Sequence, residues 1–99
     1  MEGNGNCYKV AGNLIVDVKD GFLCHGLVTG HGEVEGIRFG HAWIELNDTL
    51  IDVSNGKQLV MSKKRYYRIG NIKETEVKRY NQHEALVKML KTGNYGPWK

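Results

Sequence analysis

The sequence predicts an α+β fold in one domain over residues 1–99, with an N-terminal helix packed on an antiparallel sheet and a C-terminal helix. An apolar stripe at helical spacing follows Asn6, and a second one follows Asn81. Between them, two strand-like segments are joined at Asn47-Asp48. At 99 residues with 40% hydrophobic content, the chain has the usual size of a single domain.

The first helix is predicted to begin after Asn6, which is a good N-cap residue, and to continue to about residue 18. Asp20-Gly21 is typical of a turn, and residues 22–28 then form a short run typical of a strand. The apolar positions of the helix recur three and four residues apart, at Cys7, Val10, Ala11, Leu14 and Ile15.

The middle of the chain predicts a hairpin. Residues 29–40 contain four glycines with charges between them, which indicates a connection or a glycine-rich hairpin. Residues 41–46 and 49–53 are predicted strands, with Asn55-Gly56 closing the second.

The C-terminal half predicts two strands, over residues 65–69 and 74–80, and then a helix. Asn81 and Glu84 have the spacing of a capping box, and Gly93 ends the helix. Its apolar stripe consists of Leu86, Met89 and Leu90.

The register of the hairpin brings possible catalytic residues together. If Asn47 and Asp48 form a two-residue loop, Leu46 opposes Thr49 and the numbers of paired residues sum to 95. The side chains on one face are then His41, Trp43, Glu45, Leu50, Asp52 and Ser54. His41 and Asp52 become diagonal neighbours, about 7–8 Å apart at the backbone, within reach of a hydrogen bond between their side chains.

Cys7 completes a possible active site. At the first turn of a helix, free backbone N–H groups and the helix dipole stabilise a thiolate, and the Cys7 N–H can face a developing oxyanion. The thiolate is the nucleophile, an imidazole transfers protons, and a carboxylate orients the imidazole. We therefore predict Cys7, His41 and Asp52 as catalytic residues and Trp43 as a substrate-binding residue that shapes the acyl channel.

Residues 6–54 resemble the catalytic core of the papain-like and transglutaminase-like enzymes. A helix that begins at Cys7 is followed by Gly40-His-Ala-Trp-Ile-Glu45 and then by Leu50-Ile-Asp-Val53. The resemblance implies thiol-dependent acyl chemistry on a protein or peptide substrate, as a peptidase, amidase, deamidase or transglutaminase-like enzyme, and no cofactor.

Other interpretations stay open. Cys7 lies on the apolar stripe and can be a core residue, and Cys24 has the position of a packing residue. His25, His31 and His83 compete as partners of the thiol, with His83 expected to face solvent, and Ser54 or Asn55 can replace Asp52. A zinc site would use Cys7, Cys24, His25, His31 and His41, but their spacings match no short paired signature of structural zinc, and no metal is expected.

The charges are distributed unequally. Residues 1–56 contain three Lys and Arg against eight Asp and Glu, whereas residues 57–99 contain eleven against three. The two halves can simply complement one another. The alternative function is a catalytically inactive module whose basic half binds an acidic protein or nucleic acid, with cations and aromatics interleaved over residues 63–68 on a predicted strand.

The sequence has no apolar run long enough to cross a membrane and no secretory signal, and it contains two cysteines. A disulfide framework needs more cysteines than this. A cytoplasmic protein is therefore expected.

Overall fold

The computed structural model describes residues 2–30, 35–53 and 58–98, with side chains from Cys7 onward. The first helix, α1, spans Glu2–Ile15. It begins four residues before the predicted N-cap and ends before residue 18, so both predicted boundaries are wrong. An N-cap residue contributes only about 1 kcal/mol, which the hydrogen bonds of an added turn can outweigh. The β-branched Val16 and Val18 disfavour a continued helix.

The sheet has five antiparallel strands in the order β4-β3-β2-β1-β5. Their bounds are β1 Phe22–Thr29, β2 Arg38–Leu46, β3 Thr49–Asp52, β4 Leu59–Ser62 and β5 Lys78–Asn81. The α+β class and the first three strands are confirmed, although β2 starts three residues earlier than predicted. β4 has no counterpart among the predicted strands.

The register between β2 and β3 agrees with the prediction. Leu46 pairs with Thr49, and Ile44 pairs with Ile51, so the paired numbers sum to 95. Asn47 has a positive φ of 56°, a conformation that Asn tolerates better than most residues. The loop length that the hairpin argument required is therefore confirmed.

Alternation along β2 divides the core into two clusters. On one face Ala42 and Ile44 pack with the buried residues of α1, including Cys7 and Ala11. On the other face Trp43 packs with residues of the neighbouring strands and of the segment after β4, namely Cys24, Leu50, Tyr66 and Ile72. The sheet is therefore apolar on both faces, which is what a helix packing on each side requires.

The strand predicted over residues 65–69 is wrong, because this segment forms the helix α2, Lys63–Ile69. Ser62 caps the helix, accepting a hydrogen bond from the backbone N–H of Arg65 at 3.2 Å. The interleaved cations and aromatics suggested a strand, but in the helix Tyr66 is the buried residue and the cations lie around it.

The end of the chain follows the prediction more closely. The segment predicted as a strand over residues 74–80 begins as a 3₁₀ turn, Glu74–Glu76, and pairs with β1 only in β5. The last helix, α3, spans Gln82–Thr92, has the predicted capping box of Asn81 and Glu84, and ends at Gly93 with a left-handed φ of 71°. None of the helices in the described ranges is long and apolar enough to cross a membrane.

Candidate active site

His41 and Asp52 form the best-defined part of the site. His41 projects from β2 and Asp52 ends β3, and Nε2 of His41 lies 2.8 Å from Oδ2 of Asp52. The two side chains are 10% and 11% exposed, so the contact is shielded from most solvent. The hydrogen bond expected from the hairpin register is confirmed.

Tyr66 is part of this site and was not predicted. Its hydroxyl donates a hydrogen bond to the same oxygen, Oδ2 of Asp52, at 2.7 Å. The sequence signal that could have found α2 is Ser62, which is an N-cap residue, but nothing in the sequence pattern connects Tyr66 to Asp52. Burial and the neighbouring Asp52 carboxylate both raise the pKa of Tyr66, so the hydroxyl keeps its proton and acts as a donor.

Cys7 is hydrogen-bonded to His41 and is 1% exposed. It is the sixth residue of α1 and therefore lies in the second turn. The expectation that it occupies the first turn is wrong. In an α-helix the N–H of residue 7 points to the carbonyl of residue 3, and the dipole effect weakens beyond the first turn. Support for a thiolate, and for an oxyanion, therefore has to come from elsewhere, and His41 is the group in contact with the thiol.

The environment of His41 favours its protonated form. Burial alone lowers the pKa of the imidazole, but hydrogen bonds to Asp52 and Cys7, together with the electrostatic influence of the same two groups, raise the pKa to about 9. Since Nε2 is used by Asp52, Nδ1 is the ring nitrogen left for Cys7. One imidazole thus connects the thiol to the carboxylate.

Trp43 supports the site from inside the core. It is 0% exposed, and its ring stacks on His41 with the ring centroids 6.2 Å apart. It also contacts Tyr66, at 5.8 Å between the centroids. The ring is enclosed by protein here, and the substrate-binding role of Trp43 stays a prediction. Side chains alternate between the two faces of β2, and Trp43 lies on the face that packs into the second core cluster.

A second polar group, centred on Glu45, lies two residues along β2 from Trp43. Glu45 is 4% exposed and accepts hydrogen bonds from Trp43 Nε1 at 3.0 Å, from Arg79 Nε at 2.9 Å and from the Tyr67 hydroxyl. Burial raises the pKa of Glu45, but these donors outweigh it and hold the pKa below the ordinary value. Arg79 comes from the basic half and Glu45 from the acidic half, so the two halves complement one another here.

Cys24 and His25 are packing residues on β1. Cys24 is 0% exposed, and burial raises the pKa of its thiol, as expected of a core cysteine. His25 is packed against the rings of Tyr8, Tyr80 and Trp98. Among the described residues, neither ring nitrogen of His25 has a hydrogen-bond partner, and burial, aided by Lys78, lowers the pKa to about 4.

We expect His25 to make the protein less stable in mild acid. Its pKa is about 6.5 in an unfolded chain and about 4 in the folded protein, so between these values the unfolded chain binds more protons. The free energy of unfolding should fall as the pH drops from 6.5 to 4, by up to about 3 kcal/mol. Urea unfolding at several pH values measures this slope. His25→Phe should remove it and His83→Phe, at an exposed position, should retain it; equal slopes in both variants would contradict the assignment.

The sequence also raised a metal site and a nucleic-acid site as alternatives to the catalytic site. Within the described ranges, no group of three or more His, Cys, Asp and Glu side chains is arranged to hold a metal ion. His31, Ser54 and Asn55 lie outside the described residues. In the segment proposed for base stacking, Tyr66 is buried and its ring is not presented to a base, whereas Tyr67 is half-buried and its hydroxyl donates to Glu45.

The neighbourhood of His41 is therefore a thiol, an imidazole, a carboxylate and a phenol from four different elements. Comparison of the chain with protein-family models, with curated proteins and with solved structures gave no match in any of the three. The resemblance of residues 6–54 to papain-like and transglutaminase-like enzymes stays a prediction, and the function has to be argued from the site itself.

Proposed function

We propose that this protein is a thiol enzyme that acts on an amide bond of a protein or peptide, with Cys7 as nucleophile, His41 as proton carrier and Asp52 as the residue that orients His41. The observation that carries the proposal is the shared imidazole: one buried ring contacts the Cys7 thiol and, through Nε2, the Asp52 carboxylate at 2.8 Å. A nucleophile, a base and an orienting acid in this relation define triad chemistry on unrelated folds.

The proposed reaction has two stages. The Cys7 thiolate attacks the carbonyl carbon and forms a C–S bond, and His41 gives its Nδ1 proton to the amide nitrogen as the C–N bond breaks and the amine leaves. Water or a second amine then attacks the thioester. His41 accepts the proton of the attacking group, and the C–S bond breaks to release the acyl product and the Cys7 thiolate. Hydrolysis and acyl transfer differ only in this second nucleophile.

The surroundings of His41 suit the first stage. The pKa of about 9 keeps the ring protonated at neutral pH, so it can stabilise the Cys7 thiolate and later act as an acid. Asp52 uses Nε2 and thereby directs Nδ1 to the sulfur. Trp43 stacks on one side of the ring and limits its rotation.

The test is the rate at which iodoacetamide alkylates each cysteine, followed by mass spectrometry of the peptides. An isolated thiol is only about 1% ionised at pH 6.5, so a thiolate paired with an imidazolium should react about tenfold faster, after allowance for its lower intrinsic nucleophilicity. Cys24, which is equally buried and has no imidazole partner in the described part of the chain, is the internal control. We expect Cys7 to react at least about tenfold faster than Cys24 at pH 6.5.

His41→Ala should remove this difference, whereas His83→Ala, at an exposed histidine, should preserve it. Both cysteines should react alike in urea, where the fold is lost. If Cys7 reacts no faster than Cys24 in the folded protein, or if His41→Ala leaves its rate unchanged, the proposed function is wrong.

A further inference from the structure

The Asp52 carboxylate receives two donors on one oxygen. Nε2 of His41 lies 2.8 Å from Oδ2, and the Tyr66 hydroxyl lies 2.7 Å from the same atom. The donors come from opposite sides in the sequence, His41 from β2 and Tyr66 from α2. Two donors that share one acceptor oxygen weaken one another, because each withdraws negative charge that the other would use.

The position of Tyr66 is fixed independently of this hydrogen bond. Its ring is buried and packs against Trp43, with 5.8 Å between the centroids, and Trp43 in turn stacks on His41. Contacts therefore run in a closed circuit from His41 to Asp52, Tyr66, Trp43 and back to His41. The hydroxyl is held at Asp52 by packing of the ring, and loss of the oxygen alone leaves that packing in place.

We propose that Tyr66 is a positioning residue that fixes the Asp52 carboxylate and, by sharing Oδ2, limits how strongly Asp52 binds the protonated ring of His41. The inference rests on the proposed function for its significance, since a proton carrier that binds its proton too tightly is a weak acid toward a leaving amine. Tyr66 acts through Asp52 and contacts no reacting atom in this scheme.

The titratable groups that face His41 in the described structure are few, and this makes the effect of Tyr66 measurable. Cys7 approaches from α1 and Asp52 from β3, and both favour the protonated ring. Tyr66 is the next titratable group, reached through Asp52 from α2. The non-titratable rings of Phe39 and Trp43 pack against the imidazole.

Tyr66→Phe removes the hydroxyl and retains the ring. Oδ2 of Asp52 then serves His41 alone, so the imidazolium is held more tightly and the proton-binding constant of His41 should rise about threefold, a shift of about half a pH unit upward. The measurement is an NMR titration of the His41 ring in a Cys7→Ser background, which does not depend on whether Cys7 is a nucleophile.

Tyr67→Phe is the matched control, because Tyr67 also lies on α2 and donates to a buried carboxylate, but to Glu45. It should leave the titration of His41 unchanged. If the titration midpoint of His41 in Tyr66→Phe is unchanged or lower, the proposal is overturned. Because cysteine alkylation is measured separately, an unreactive Cys7 would refute the proposed function while leaving a shift of His41 to be explained by Tyr66.

Discussion

Replacing Asp52 by Asn is expected to reduce the protonated fraction of His41 at pH 7.5 by about tenfold. The amide keeps the shape of the side chain and an acceptor oxygen but removes the negative charge that favours the imidazolium. Burial, which by itself lowers the pKa of His41, then has less opposition, and the pKa should fall from about 9 to 6.5 or below. Turnover of an acyl substrate should fall by about 10³- to 10⁴-fold, as expected when a triad loses its acid.

The same variant should change how stability depends on pH. In the folded wild-type protein His41 binds a proton between pH 6.5 and about 9, where the unfolded chain does not. Its contribution to stability is therefore complete below pH 6.5 and is lost as the pH rises through 9. Asp52→Asn should remove this alkaline decrease, as measured by urea unfolding, together with the NMR titration of His41.

Asp48→Asn is the control, because Asp48 is an exposed acid in the turn of the same hairpin. It should leave the titration of His41 within about 0.2 pH units of wild type, since exposed charges are strongly screened. If His41 still titrates with a midpoint near pH 9 in Asp52→Asn, then Asp52 does not raise the pKa of His41.

Replacing Glu45 by Ala should lower the free energy of unfolding by about 3–5 kcal/mol. The substitution leaves the Trp43 indole N–H and the Tyr67 hydroxyl without their acceptor, while Arg79 keeps its contacts with the Tyr67 hydroxyl and with Glu74. Buried donors without acceptors lose their hydration without compensation. Urea unfolding monitored by tryptophan fluorescence measures the change.

Glu74→Ala provides a matched comparison, because Glu74 binds the same Arg79 at 2.8 Å but is 56% exposed. An exposed ion pair contributes little, so the loss should be about 1 kcal/mol or less. Glu45→Gln keeps an acceptor oxygen, so its loss of unfolding free energy should lie between those of Glu45→Ala and Glu74→Ala. This variant gives a measurable value even if Glu45→Ala does not fold. Equal losses in Glu45→Ala and Glu74→Ala would contradict a structural role for the buried carboxylate.

Much of the candidate site could be predicted because it depends on local geometry. A two-residue loop at Asn47 and Asp48 sets the register of β2 and β3, and strand alternation then determines which side chains share a face. His41 and Asp52 are eleven residues apart but belong to one hairpin, so their hydrogen bond follows from counting residues. The capping box at Asn81 and Glu84 is equally local, and α3 forms where it predicts.

Predictions that depended on packing between distant segments were less successful. The segment over residues 65–69 has the composition of a strand, but Tyr66 becomes buried through contacts with residues 14 or more positions away, and the helix results. Trp43 lies on the predicted face of β2, but its packing in the second core cluster could not be read from the hairpin alone. Intrinsic propensity is weak enough for tertiary contacts of this kind to override it.

The sequence by itself determined the α+β class, the hairpin register, the α3 helix and the pairing of His41 with Asp52, since these follow from periodicity and capping over a few residues. Only the tertiary structure decided that Cys7 contacts His41 from the second turn of α1, that Tyr66 shares the Asp52 oxygen, and that Trp43 supports the ring from the core. These contacts join elements far apart in the chain. Their formation depends on how the apolar faces of helices and sheet fit together, which no local pattern specifies.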